Sequence, residues 1–363
     1  MAYYPQLVID ALKTVIHPEK KQDIVALNMV EDDIRINGNR VSFSLLFDRP
    51  NDPMVSTIKK MATQAIKTYL GEECEIEGNI FVKIRKKEEP QAEPVLPGVK
   101  HVIAVASGKG GVGKSTVTAN LAVALAKKGY KVGLLDADIF GPSVPIMFDT
   151  VEERPLLSEE STETKQLIEP IEKYGIKMLS IGYFVDPDSA VVWRGSMACN
   201  ALKQIILQTK WDELDFLLLD MPPGTGDIHI TLVQDIPVSG AIVVTTPQDV
   251  ALADVEKGIN LFRNKDVNKK ILGIVENMSW FTPAELPNNR YYIFGRGGAQ
   301  KMAGKYNVPL LGQIPLVQSI CECGDVGAPS ALDENTSSSI SSFNSSLVHD
   351  TFRNLAETVV AQI

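Results

Sequence analysis

Residues 108–116 read Gly108-Lys109-Gly110-Gly111-Val112-Gly113-Lys114-Ser115-Thr116, the spacing G-x-x-x-x-G-K-[ST] of a phosphate-binding loop. The apolar run His101–Ala106 stands immediately before it, and a helical pattern opens near Lys114. Strand, loop and helix are therefore in the order such a loop needs, and that order commits this part of the chain to an α/β sheet. Glycines let successive backbone amides curl around phosphate oxygens, and the N-terminus of the following helix favours their negative charge. From that chemistry the backbone of Gly108 through Thr116 is expected to cradle ATP, Lys114 to reach the β- and γ-phosphates, and the Ser115 hydroxyl to ligate Mg²⁺.

The rest of the chain fits this start. After the loop, the short apolar runs Lys131–Leu135, Phe216–Leu219, Gly240–Thr245, Ile271–Val275 and Leu310–Ile314 alternate with helical patterns, as buried parallel strands with crossover helices do. Residues 86–99 carry three prolines and a charge run without periodicity, the mark of a semi-rigid linker. Before it, helical spacing at Leu7, Val8, Ala11, Leu12, Val15 and Ile16 is followed by extended stretches at Ile24–Ile36 and Arg40–Phe47. A second helix over Ile58–Tyr69 and a strand-like run from Cys74 to Ile84 complete the order α-β-β-α-β. The expected architecture is α/β: a doubly wound, mostly parallel P-loop NTPase sheet over 100–363, preceded by a small α+β domain over 1–85 and the linker 86–99. Polar Val151–Gln166 is expected to be a solvated excursion, and the Ser/Asn-rich residues 336–346 a hinge before a final helix.

Composition narrows the function classes. Thirty-six Lys and Arg against 45 Asp and Glu give a net charge of −9, which argues against a protein whose task is coating nucleic acid. Four cysteines among 363 residues are too few for an oxidised scaffold. No signal peptide is visible before Asp10 and Lys13, and no run approaches the roughly 18–20 apolar residues of a membrane span. The expectation is a cytoplasmic protein with no membrane partner.

Three further segments carry chemistry. Asp136 and Asp138 follow the strand run ending at Leu135, where ligands lie in such sheets; a helix or turn cap is the competing role for Asp138. Phe216-Leu217-Leu218-Leu219-Asp220 ends four apolar residues in a carboxylate suited to holding Mg²⁺ through water. Directly after it, Pro223-Gly224-Thr225-Gly226-Asp227 is expected to be a switch loop that senses the γ-phosphate. In Glu276-Asn277-Met278-Ser279, the Asn277 amide could read an adenine edge or cap the chain. The four His residues lack metal-ligand spacing.

Taken in order, Lys109–Thr116, Asp136–Pro145, Trp193-Arg194-Gly195, Asp220–Asp227, Thr246-Pro247-Gln248, Glu276–Ser279 and Ile314-Pro315-Leu316 make residues 100–360 resemble the Mrp family. Its members are iron–sulfur cluster carrier ATPases related to MinD and ParA. Residues 5–85 resemble the small iron–sulfur-assembly domain often fused in front of them, through Ile9–Glu19 and Asp23–Leu27. The resemblance implies ATP hydrolysis by a homodimer that hands clusters to apo iron–sulfur proteins. It also implies roles: Lys109 crosses to the partner's nucleotide, unless it is only a solvated loop cation; Asp138 orients the attacking water; Asp136 lies close to Mg²⁺. The expected catalytic set is thus Lys109, Lys114 and Asp138.

Two departures from the family pattern matter. The Cys-x-x-Cys that most relatives carry after Glu-Asn-Met-Ser is replaced by Trp280–Arg290, which holds no cysteine, and Asp48–Pro53 lacks the cysteine expected in the first domain. What is left is Cys321-Glu322-Cys323, with Cys74 and Cys199 alone. A Cys-x-Cys from each of two subunits would supply the four thiolates that a cluster requires, whereas in the other reading both are small residues of a loop. The alternative function is a nucleotide-switched regulator of the MinD/ParA type, a dimeric binding platform without a cluster. A membrane-cycling ATPase ranks below both, since the tail Asp350–Ile363 holds a single Arg.

Overall fold

The computed structural model describes residues 3–49, 52–85, 95–162, 166–184, 195–283, 285–286, 288–332 and 342–363, with backbone only at 195–196, 227 and 342–345. Most of the expected linker, the Trp193-Arg194 pair and positions 336–341 of the expected hinge lie outside these residues. The chain divides into two units, Met1–Glu93 and Pro94–Ile363.

In the first unit, α1 (Pro5–Leu12) starts on a proline, whose missing N–H is no loss in a first turn, and buries Val8, Ala11 and Leu12. β1 (Arg35–Asn37) and β2 (Arg40–Phe47) pair antiparallel around the Asn37–Arg40 turn. The longer α2 (Val55–Leu70) buries Ile58, Ala62 and Ile66, one stripe at spacing four, and β3 (Ile80–Ile84) then joins β2 in parallel. Two expected extended stretches are shorter than their apolar content suggests. Over Ile24–Ile34 the Asp23 carboxylate accepts the N–H groups of Val25 and Ala26 and Asn28 takes φ +51°, which turns the chain before β1. Cys74–Asn79 is broken by Gly78 at φ +79°, leaving only Ile80–Ile84 in the sheet.

The second unit is built on eight strands: β4 (Val99–Ser107), β5 (Val132–Asp136), β6 (Ile171–Lys173), β7 (Ile176–Ser180), β8 (Leu214–Pro223), β9 (Val238–Thr245), β10 (Ile271–Glu276) and β11 (Leu310–Gln313). Their spatial order is β11-β10-β9-β4-β8-β5-β7-β6, parallel throughout except for the β6–β7 hairpin. That hairpin was absent from the sequence reading. Its two-residue turn puts both Tyr174 (φ +54°) and Gly175 (φ +75°) in the left-handed region, as hairpin turns of this length do.

Helices cover both faces of the sheet: α3 (Lys114–Lys127), the short α4 (Val144–Met147), α5 (Gly195–Gln208), α6 (Asp227–Asp235), α7 (Asp249–Arg263), α8 (Gly298–Tyr306), α9 (Gln318–Asp325) and α10 (Ser342–Val360). One apolar cluster lies around α3 and α10 and another around α5, α6, α7 and α8. α3 is buried over almost its whole length, since it lies between the sheet and α10, and its run of small and aliphatic residues from Val117 to Leu125 fits that place. β4 sits between β8 and β9, so the chain leaves it in one direction for β5 and returns past it for β9. That reversal opens a crevice at the carboxyl ends of the central strands. Among the described residues no helix is long and apolar enough to cross a membrane.

Candidate functional site

The loop from β4 to α3 lies at this reversal. Gly113 takes φ +80°, and a Cβ there would stand 2.2 Å from Asn277 Nδ2, so side-chain absence serves both the turn and the contact. Gly108 is held equally close, since its Cβ would fall 2.1 Å from the Asp254 carbonyl oxygen of α7. Gly110, Gly111 and Lys109 are exposed at the crest of the loop, Val112 is buried beneath it, and Ser115 and Thr116 are half-buried in the first turn of α3. Asn277, just past β10, donates from Nδ2 to the Val112 carbonyl at 2.9 Å and so ties the loop to a distant strand.

Inside the loop, Lys114 is 6% exposed and its Nζ stands 2.7 Å from Asp220 Oδ1 and 3.1 Å from Ser115 Oγ. Asp220 is fully buried, and the Thr118 hydroxyl also donates to its Oδ1 at 2.9 Å. Its other oxygen, Oδ2, is buried with no partner among the described residues. A carboxylate oxygen held this way beside a lysine and a serine hydroxyl fits a hard divalent cation that takes oxygen ligands. The donor set of Ser115 and Asp220 therefore suits Mg²⁺.

Asp136 makes more contacts than the sequence indicated. It faces Asp220 directly across β5 and β8, but its carboxylate accepts the N–H groups of Asp138, Ser143 and Val144 and the Ser180 hydroxyl at 3.0–3.1 Å. Both oxygens are thus engaged in holding the turn after β5 and the end of β7. Burial and the Asp220 charge push its pKa up to about 7. Asp138 accepts the Gly141 N–H at 3.2 Å, a turn cap, and is 9% exposed. Burial raises its pKa, and the Lys114 charge opposes that rise.

The switch segment follows β8. Pro223 and Gly226 are exposed, Gly224 and Thr225 are half-buried, and the Asp227 backbone opens α6. Gly224 takes φ +95° and donates its N–H to the Ser107 carbonyl at 3.0 Å, which docks the segment against the end of β4. His229 was missed by the sequence reading. It is 3% exposed, and its Nε2 lies 2.8 Å from the Pro222 carbonyl. A histidine inside an amphipathic segment gave no signal of that tie.

Beside the loop is a cavity of about 300 Å³, lined by Gly113, Thr116, Asn277, Met278, Pro315 and Leu316 among others. Its polar edge comes from Thr116, Ser143, Asn277 and Asp325 and its walls are mostly aliphatic, a mix that suits a heterocyclic base beside a phosphate loop.

The model of the NUBPL iron-transfer P-loop NTPase family matches residues 98–351, and that of iron-sulfur cluster assembly proteins matches residues 5–77. The chain belongs to the NUBPL iron-transfer P-loop NTPase family. A relative from Synechocystis sp. named iron-sulfur cluster carrier protein is 42% identical over 332 residues, 92% of this chain and 92% of its own length. A relative of the same name from Escherichia coli strain K12 is 50% identical over 271 residues, 75% of this chain and 69% of its own. A solved nucleotide-binding protein from Archaeoglobus fulgidus in complex with ADP is 39% identical, with a TM-score of 0.56, over 64% of this chain and 88% of that one. The doubly wound P-loop sheet is thus shared with a protein that holds a nucleotide.

The four cysteines of this chain do not gather at one place. Cys321 and Cys323 belong to α9, not to the loop that the sequence suggested. At 100° per residue, positions two apart point to nearly opposite sides of a helix, so the two thiols of one chain do not converge. Cys321 is exposed and lies at the cavity lining, with Sγ 3.7 Å from Asp325 Oδ2, and the Asp325 charge raises its pKa. Cys323 is half-buried, while Cys74 and Cys199 are buried in separate units. Among the described residues, no three His, Cys, Asp or Glu side chains gather as a metal site.

Proposed function

We propose that this protein is an ATP-hydrolysing carrier of iron–sulfur clusters that works as a homodimer and delivers its cargo to apo iron–sulfur proteins. The observation that carries the ATPase part is the buried Lys114–Asp220–Ser115 arrangement with its unpartnered Asp220 oxygen. Without nucleotide, Lys114 is neutralised by Asp220; arriving phosphates offer the ammonium a stronger partner, which frees the carboxylate. Mg²⁺, held by Ser115 and through water by Asp220, would screen the charge of the β- and γ-phosphates. Asp138 accepts a hydrogen bond from the attacking water and orients it, and its raised pKa suits that role better than an ordinary surface carboxylate would. Asn277 holds the loop and presents its remaining carbonyl to the base cavity, while Lys109, exposed on the loop, reaches the partner's nucleotide.

The cargo reading rests on the two family models, one for each unit, and on relatives named as carriers along nearly the whole chain. Both favour a carrier over a cluster-free regulator. Since Cys321 and Cys323 diverge on one helix, a cluster shared by two chains would take at most one of these thiols from each, and its remaining ligands would come from elsewhere. The direct test of the ATPase is Lys114→Ala, which removes a fixed positive charge where negative charge builds in the transition state. Turnover should fall on the order of 10²-fold or more. Near wild-type turnover in the variant would reject the assignment of this loop.

A further inference from the structure

His229 is in the first turn of α6, and its ring reaches back across Pro223–Gly226 to the Pro222 carbonyl at 2.8 Å, while its own N–H donates to the Gly226 carbonyl at 3.0 Å. One residue therefore ties together both ends of the switch segment. A carbonyl oxygen only accepts, so Nε2 carries the proton, and burial, which lowers the ring's pKa, favours the neutral form in which Nδ1 holds the lone pair. That nitrogen is buried and has no partner among the described residues.

The neighbouring backbone shows what could move. Pro222 and Pro223 are stiff, whereas Gly224 at φ +95° and Gly226 flank Thr225 and are the flexible points. Pro222 is also only two residues beyond Asp220, the partner of Lys114, so a tie at Pro222 fixes the switch segment relative to the P-loop lysine.

We propose that His229 is a positioning residue, a strap in its Nε2–H form that holds the Pro222 end of the switch segment in register with Lys114 and Asp220 while Gly224–Gly226 closes on the γ-phosphate. This deepens the ATPase reading above and rests on it for its kinetic consequence. The strap touches neither nucleotide nor the phosphate loop, so its loss should act on turnover and spare ground-state affinity.

The test compares His229→Leu, His229→Asn and His229→Gln with the wild type. Gln places an amide N–H near the Nε2 position and preserves the donor to Pro222; Leu has no donor and Asn is too short to reach. For Leu and Asn, kcat for ATP should drop by about tenfold or more with KM within about threefold, whereas Gln should return kcat to within about threefold of wild type. Asn keeps the comparison available if the Leu variant fails to fold. Hydrogen exchange over residues 222–229, with and without a non-hydrolysable ATP analogue, reads the strap independently of hydrolysis. Nucleotide should protect this segment in the wild type and Gln proteins and not in Asn. A wild type that shows this protection but no turnover would overturn the ATPase reading and leave the strap standing. An Asn variant with wild-type kcat and wild-type protection, or a Gln variant as impaired as Asn, would overturn the strap.

Discussion

The residues around the nucleotide site divide into those whose role is written locally and those whose partners come from far along the chain. Lys114, Ser115 and Gly113 were legible in their placement because one contiguous motif sets them between a strand and a helix. Asp220 was legible because four apolar residues deliver it to the end of a buried strand. Asp136 was legible in its place beside Asp220 but not in its contacts: the donors Ser143, Val144 and Ser180 reach its oxygens only through the folded turn after β5 and the end of β7. Its pKa, raised from 3.8 to about 7, has a definite consequence for stability. The folded state holds this proton more tightly than the unfolded chain, so the contribution is fully present below about pH 4 and is lost as pH rises towards about 7. In nucleotide-free protein, Asp136→Asn should flatten that part of the Tm-against-pH curve relative to wild type. An unchanged slope would mean that Asp136 is ionised throughout. Asp138 makes a separate prediction: Asp138→Ala should bind ATP with ordinary affinity while hydrolysis stalls, and closed dimers should accumulate with ATP on size exclusion. Loss of affinity with an intact rate per bound ATP would make it a binding ligand instead.

At the scale of elements, the central strands were visible because each is a near-continuous run of Val, Ile and Leu, buried on both faces. The β6–β7 hairpin escaped because β6 is only three residues long and its turn is Tyr174-Gly175 rather than a stronger signal such as Asn-Gly. α9 escaped because Cys-Glu-Cys-Gly reads as irregular until Gln318 and Ile320 are seen with the α9 turn packed beside the base cavity. The hairpin offers a clean measurement. Gly175 has φ +75° and no atom within 4 Å of where its Cβ would be, so Gly175→Ala introduces backbone strain without a clash. The cost should be roughly 1–2 kcal/mol, read as a lower denaturant midpoint at constant m-value. No change in midpoint would show that the turn relaxes to another geometry.

For the whole molecule, the two units match two different family models, and relatives named as carriers span both. The close thiol pair Cys321 and Cys323 is splayed on a helix, so the two thiols of one chain do not converge on one cluster. The account stands or falls on cargo moving in a nucleotide-dependent way. The most direct measurement is anaerobic reconstitution with iron and sulfide, followed by transfer to an apo iron–sulfur protein, for the wild type and for Lys114→Ala. The account predicts a coloured, dimeric wild type that activates the apo protein, and a Lys114→Ala variant in which that activation is strongly reduced. A wild type that retains no iron, or transfer that is the same in both proteins, would contradict it.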